Sequence, residues 1–152
     1  MQSIAKYDAV FINGNEIDNS YLRSLIREYS KNIKIFESHY SPTNINHFSL
    51  TEKYLIFSGI GNPDAFRETL KTNNINIIKE VIFPDHYNYT QNDINKIRSE
   101  AKKLNAKIIT TEKDFVKINS SKNDDIKFLE IELKVKNEEQ LIDYLKTHIW
   151  NQ

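Results

Sequence analysis

The stretch 54-YLIFSGIGNPDAFRETL-70 decides the fold. Tyr54, Leu55, Ile56 and Phe57 form an apolar run of strand length, the pattern of a central strand. The run ends in Gly59-Ile60-Gly61, where glycine permits a sharp turn and close backbone approach. Asn62 is suited to cap a helix and Pro63 to occupy its first position. Phe66 and Leu70 then stand four apart, on one helical face. Strand, glycine turn and capped helix together make one βα unit.

The same alternation continues on both sides. Ala9 to Ile12 reads as a strand ending in the turn Asn13-Gly14. A helix capped by Asn19 or Ser20 carries Leu22, Leu25, Ile26 and Tyr29 on one face. Lys34 to His39 is extended and Ser41 to Asn44 is a loop. Ile75 to Phe83 is a strand stopped by Pro84. Thr90 and Asp93 form a pair like a capping box, and Ile94, Ile97, Ala101 and Leu104 form the stripe of the helix that follows. Ala106 to Ile109 is a strand. Ile126 to Val135 alternates apolar and polar residues, which predicts one half-exposed edge strand. Leu141, Ile142, Leu145 and Ile149 predict a last amphipathic helix. The expected fold is α/β, a three-layer, Rossmann-like single domain over 1–152 with a mostly parallel sheet and helices on both faces.

Composition narrows the function classes. The 152 residues contain no cysteine, so a disulfide framework and a thiolate metal site are both excluded. Lys plus Arg equals Asp plus Glu at 21 each, without the basic surplus expected of a nucleic-acid binder. No apolar run approaches the roughly 20 residues that span a bilayer, and the first residues lack the pattern of a secretory signal. The abundance of Asn, Ile and Lys reads as codon bias. His39, His47 and His148 make no metal-ligand spacing, so no metal site is expected.

Three motifs fall where parallel strands end, the edge at which ligands of such sheets gather. In 59-GIGNP-63 the helix start offers free amide donors and a positive dipole end to an anion; a tight turn without a ligand explains the same residues. With only Gly14, Gly59 and Gly61 in the chain, G-x-x-x-x-G-K-[ST] is impossible. In 83-FPDHYNY-89, Pro84 keeps Phe83 extended. His86 is the one side chain there that changes charge near neutrality. Asp85 can steer it, and Tyr87 and Tyr89 can wall a site; a solvated loop is the competing reading. In 110-TTEKDFVK-117, Thr111, Glu112 and Lys113 bring hydroxyl, carboxylate and ammonium together, and Lys113 can bind phosphate as a point charge. An ordinary helix start capped by Thr110 or Thr111 explains these too.

Together, 8-DAVFING-14, 56-IFSGIGNPDAF-66, 83-FPDHYNY-89 and 107-KIITTEKDFVK-117 resemble the C-terminal half of the tetraacyldisaccharide 4′-kinase (lipid A 4′-kinase) family, from about Lys6 onward. Each motif alone is weak; the set in this order is specific. The resemblance implies ATP- and Mg²⁺-dependent phosphorylation of the 4′-hydroxyl of the lipid A disaccharide precursor. The setting it implies is the cytoplasmic face of a Gram-negative inner membrane. It also implies a two-lobe enzyme whose N-terminal lobe carries the P-loop, the magnesium-binding acids, a catalytic aspartate and a membrane-inserting helix. This chain is then expected to be the second lobe, soluble by itself, inactive alone and partnered by that N-terminal lobe. His86 matches the family's active-site histidine, which pairs with the N-terminal lobe's aspartate. Gly59, Gly61 and Asn62 would line the cleft between lobes, with Asp85 and Tyr87 beside His86. Thr111, Glu112 and Lys113 would shape the same rim. Tyr87 stands where many members have a second histidine, and Phe115 where a smaller residue is usual. The competing expectation is a stand-alone α/β module that binds a nucleotide or anionic sugar at the GIGNP helix start without catalysis.

Overall fold

The computed structural model describes residues 4–14, 16–118 and 123–148. In chain order its elements are β1 (Ala9–Asn13), α1 (Glu16–Tyr29), β2 (Lys34–Pro42), β3 (Lys53–Ser58), α2 (Pro63–Thr72), β4 (Asn76–Ile82), α3 (Gln91–Lys103), β5 (Lys107–Thr111), α4 (Glu112–Phe115), β6 (Ile126–Leu129), β7 (Ile131–Lys136) and α5 (Glu138–His148), with short 3₁₀ turns at Ile4–Lys6 and Ile45–His47. Where one domain was expected, the chain groups into two compact units, Met1–Ser41 with Glu132–Gln152, and Pro42–Ile131. Among the described residues each unit has its own hydrogen-bonded sheet.

The first unit is built on the sheet β1-β2-β7, in which β1 and β2 run parallel. Ile12, Ile26 and Ile33 form its small core, with Ile4, Val10 and Ile35 packed against them. The ring of Tyr144 on α5 meets Phe36 on β2 at 5.3 Å between centroids. Helix α1 starts before the expected cap: Asn19 and Ser20 lie inside it, and Asn19 is buried rather than closing the helix end. Of the predicted apolar face, Ile26 is buried while Leu22 and Tyr29 are exposed. Ile149, predicted on the last helix, lies outside the described residues.

The second unit is the α/β layer structure the opening stretch predicts. Its four strands are all parallel, in the order β4-β3-β5-β6. Side chains along β3 alternate between two cores, as the period of a strand requires. Leu55 and Phe57 join Ile94, Ile97 and Ala101 of α3 on one face. Tyr54 and Ile56 join Phe66 and Leu70 of α2 on the other. Leu55, Ile56 and Phe57 are completely buried, which explains why β3 is apolar throughout.

The single edge strand predicted for 126–135 is two strands in different sheets. The break falls at Glu130, whose peptide groups are engaged sideways. Its carbonyl accepts the N–H of Thr43 at 3.0 Å, and its N–H donates to Oδ1 of the buried Asn44 at 3.0 Å. A residue bonded to a loop in this way cannot continue a ladder, although the apolar alternation passes straight through it. Strand β2 likewise runs on through Ser41 and Pro42, where a loop was expected. Among the described residues, no helix is long and apolar enough to cross a membrane.

Candidate functional site

Parallel strands bring the three sequence motifs to one edge of the second unit. The GIGNP turn follows β3, FPDHYNY follows β4, and TTEKD closes β5 and forms α4. From β3 the chain crosses to β4 on one side, then returns past β3 to β5 on the other. Helix α2 leaves toward the Phe66–Leu70 core, while Phe115 and Ile118 pack on the opposite face. The ends of β3 and β5 therefore flank a switch point, where crevices open in such sheets.

The local chemistry of each motif was readable. Asn62 caps α2 by accepting the N–H of Ala65 at 3.1 Å, with Pro63 in the first turn. Thr90 and Asp93 form a reciprocal capping box at α3. Thr111, not Thr110, caps α4 through the N–H of Asp114 at 3.1 Å. Thr110 is buried, and its hydroxyl donates to the Phe57 carbonyl at 2.8 Å.

His86 stands out at the rim with three-quarters of its side chain exposed. Its φ of 59° lies in the left-handed region, which costs an L-residue roughly 1–2 kcal/mol. The His86 N–H donates to Asp85 Oδ1 at 2.9 Å and to the Gly59 carbonyl at 3.2 Å. Asp85 is the hub of this rim. Its Oδ2 lies 3.7 Å from His86 Nε2, and its Oδ1 lies 3.8 Å from the Lys113 ammonium. Histidine, carboxylate and lysine thus meet, while Glu112 is exposed.

Two of the predicted positions make contacts that the sequence did not show. Tyr87 is tied down within its own loop. Its hydroxyl donates to Asp93 Oδ2 at 3.2 Å, and its ring packs on Phe83 and Tyr89 at 4.8 and 5.4 Å. It fastens the His86 loop to the start of α3. The other is the α2 start. Asp64 occupies the first turn, and a Cβ on Gly61 would sit 3.3 Å from Asp85 Oδ2. Asp64 is paired with Arg67, and Asp85 lies 3.8 Å from the Lys113 ammonium, so charges of both signs stand there.

Sequence reasoning missed Asp114, the residue that ties the end of β5 to the turn after β3. It is completely buried. Its Oδ2 accepts the Gly59 N–H and the Thr111 hydroxyl, each at 2.8 Å, and its Oδ1 pairs with Lys117 Nζ at 3.0 Å. Charge-assisted bonds of this kind are the strong ones, and removing one partner of such a buried pair costs about 3–5 kcal/mol. The available signal was a carboxylate three residues after a capping threonine and three before a lysine. Beside it is the buried Tyr89 hydroxyl. Burial first, then the charge of the neighbouring Asp114 carboxylate and its contact with the hydroxyl, push the Tyr89 phenol well above 10.0.

Comparison with known proteins places this arrangement in context. The family described as tetraacyldisaccharide-1-P 4′-kinase (LpxK) matches residues 1–150. The tetraacyldisaccharide 4′-kinase of Pelagibacter ubique is 37% identical over 145 residues, covering 95% of this chain and 46% of that relative. The enzyme of that name from Rickettsia akari is 41% identical over 120 residues, covering 78% of this chain and 36% of that relative. The chain therefore spans less than half the length of these curated relatives. A crystal structure described as the apo form of LpxK from Aquifex aeolicus in complex with ATP matches with a TM-score of 0.57 at 21% identity, over 96% of this chain and 44% of that one. At that identity the likeness establishes the α/β fold.

Proposed function

The chain belongs to the tetraacyldisaccharide-1-P 4′-kinase family, and from that premise we propose that it is the C-terminal lobe of a lipid A 4′-kinase. The observation that carries the reading is the family match over nearly the whole chain, set against relatives about twice its length or more. The absence of G-x-x-x-x-G-K-[ST] from this sequence supports a division of labour, in which an N-terminal lobe cradles the nucleotide.

ATP and magnesium are the cofactors the family implies, and the N-terminal lobe is the part that would hold them. Among the described residues no group of three or more His, Cys, Asp or Glu could hold a metal ion, and Asp64 stands in the first turn of α2. What this lobe supplies is His86. Phosphoryl transfer depends on positioning and charge stabilisation. An imidazole exposed at the rim, facing an aspartate of the other lobe, can take the proton of the attacking 4′-hydroxyl. Asp85 and Lys113 hold the polar wall beside it. The work site is the cytoplasmic face of the inner membrane, where the disaccharide lipid lies.

The test mixes the chain with ATP, magnesium and the disaccharide lipid, with and without the N-terminal lobe. Turnover is expected only with both lobes. Robust turnover by the chain alone overturns the division of labour, and no turnover by the pair overturns the kinase reading.

A further inference from the structure

The Gly59 peptide is gripped from both sides. Its N–H donates to Asp114 Oδ2 at 2.8 Å, and its carbonyl accepts the N–H of His86 at 3.2 Å. Gly59 is buried, and it has no room for another residue. A Cβ there would meet the Tyr89 hydroxyl at 2.9 Å, the Pro84 carbonyl at 3.1 Å and Tyr87 Cβ at 3.2 Å. The turn therefore cannot shift without disturbing the His86 loop. Asp114 is itself held stiffly, by Thr111 at one oxygen and Lys117 at the other. At the far end of this chain of bonds His86 keeps φ 59°, a conformation that an L-residue holds only when its surroundings over-determine it.

We infer that Asp114 is a positioning residue, which through the Gly59 peptide holds His86 in its left-handed conformation and so keeps the imidazole turned out at the rim. The inference rests on the proposed kinase role of His86 only for its catalytic consequence; the linkage itself belongs to this chain. A buried carboxylate suits the task. It is acceptor-only when ionised, so it can bind a backbone N–H and two side-chain donors at once. It joins β5 to β3, and Gly59 joins β3 to the loop after β4. One carboxylate thus couples all three motifs.

The test uses ¹H–¹⁵N spectra and amide hydrogen exchange on the full chain. Asp114→Ala should move the Gly59 and His86 amide resonances and speed exchange at both by at least about tenfold, the scale of one strong hydrogen bond lost. Ile97 and Ala101 of α3 should keep their protection. Asp114→Asn retains an acceptor oxygen and should restore part of the His86 signal. A merely structural Asp114 would lower the melting temperature and leave the His86 resonance of the folded protein in place; that result overturns the inference. Should Asp114→Ala fail to fold, Thr111→Val loosens the carboxylate without removing it. It should shift His86 in the same direction by less, and an unmoved His86 again overturns the inference. With the N-terminal lobe present, Asp114→Asn should lower kcat and leave KM for ATP unchanged. A His86 shift without loss of kcat upholds the linkage and overturns the catalytic role of His86 instead.

Discussion

The Tyr87 hydroxyl donates to Asp93 Oδ2 at 3.2 Å, joining the His86 loop to the capping box of α3. The same carboxylate oxygen accepts the Thr90 hydroxyl at 2.6 Å and the Thr90 N–H at 3.0 Å. Three donors converge on one charge, so the loop and the helix start are one structural feature.

That feature titrates. The Thr90 hydroxyl first, then the Thr90 N–H, hold the Asp93 carboxyl below the usual carboxylate range. A folded pKa below the unfolded one gives stability that is present above the unfolded pKa and lost as pH falls through the folded one. Thermal melts should therefore decline on acidification below about pH 4. Asp93→Asn should flatten part of that decline and lower the melting temperature at neutral pH. An unchanged acid limb in Asp93→Asn counts against the capping assignment.

At the alkaline end the sign reverses. Tyr89 ionises well above 10.0 because burial opposes its charged form and Asp114 repels it. Its contribution is complete below the unfolded pKa and is lost as pH rises above it. Stability should fall above about pH 10, where unfolded tyrosines ionise. Tyr89→Phe should reduce that fall. Denaturant midpoints measured from pH 7 to 11 decide it; an alkaline limb untouched by the substitution sinks the prediction.

The two glycines of the turn should respond differently to alanine. At Gly59 the new Cβ meets Tyr89 Oη at 2.9 Å and backbone at 3.1 Å, a crowding expected to cost about 1–3 kcal/mol. At Gly61 it meets only the movable Asp85 carboxylate at 3.3 Å, so a change within about 0.5 kcal/mol is expected. Urea unfolding of both variants compares them directly, and equal losses would refute the packing argument. Adding Tyr89→Phe should rescue part of the Gly59→Ala loss, as an interaction energy in a double-mutant cycle.

His86 should separate stability from activity. Glycine occupies φ 59° without the penalty of a side chain, so His86→Gly should stabilise the chain by up to about 1 kcal/mol. In the two-lobe enzyme both His86→Gly and His86→Ala should cut kcat by about 10². A less stable glycine variant contradicts the strain, and undiminished kcat contradicts the role in proton transfer.

Local signals were legible. The caps Asn62, Thr90 and Thr111 lie within three residues of the amides they serve. The buried β3 shows in the sequence because both its faces are apolar. The three motifs could be placed on one edge because strand–helix alternation implies parallel strands. What escaped depended on partners distant in the chain. Glu130 splits β6 from β7 because Asn44, 86 positions earlier, takes its N–H. Tyr87 was expected to line a site, and only the folded loop turns its hydroxyl to Asp93.

By itself, then, the sequence determined the layered α/β unit, its helix starts and the candidate rim with His86. These follow from periodicity and capping, which act over a few residues. Tertiary structure alone decided that Asp114 is buried against Gly59, 55 positions away, that His86 sits in the left-handed region, and that the strands among the described residues fall into two sheets. Those outcomes depend on which polar groups are left to pair once the apolar faces are covered, and a carboxylate in a sequence carries no mark of whether its partner will be water or a buried peptide.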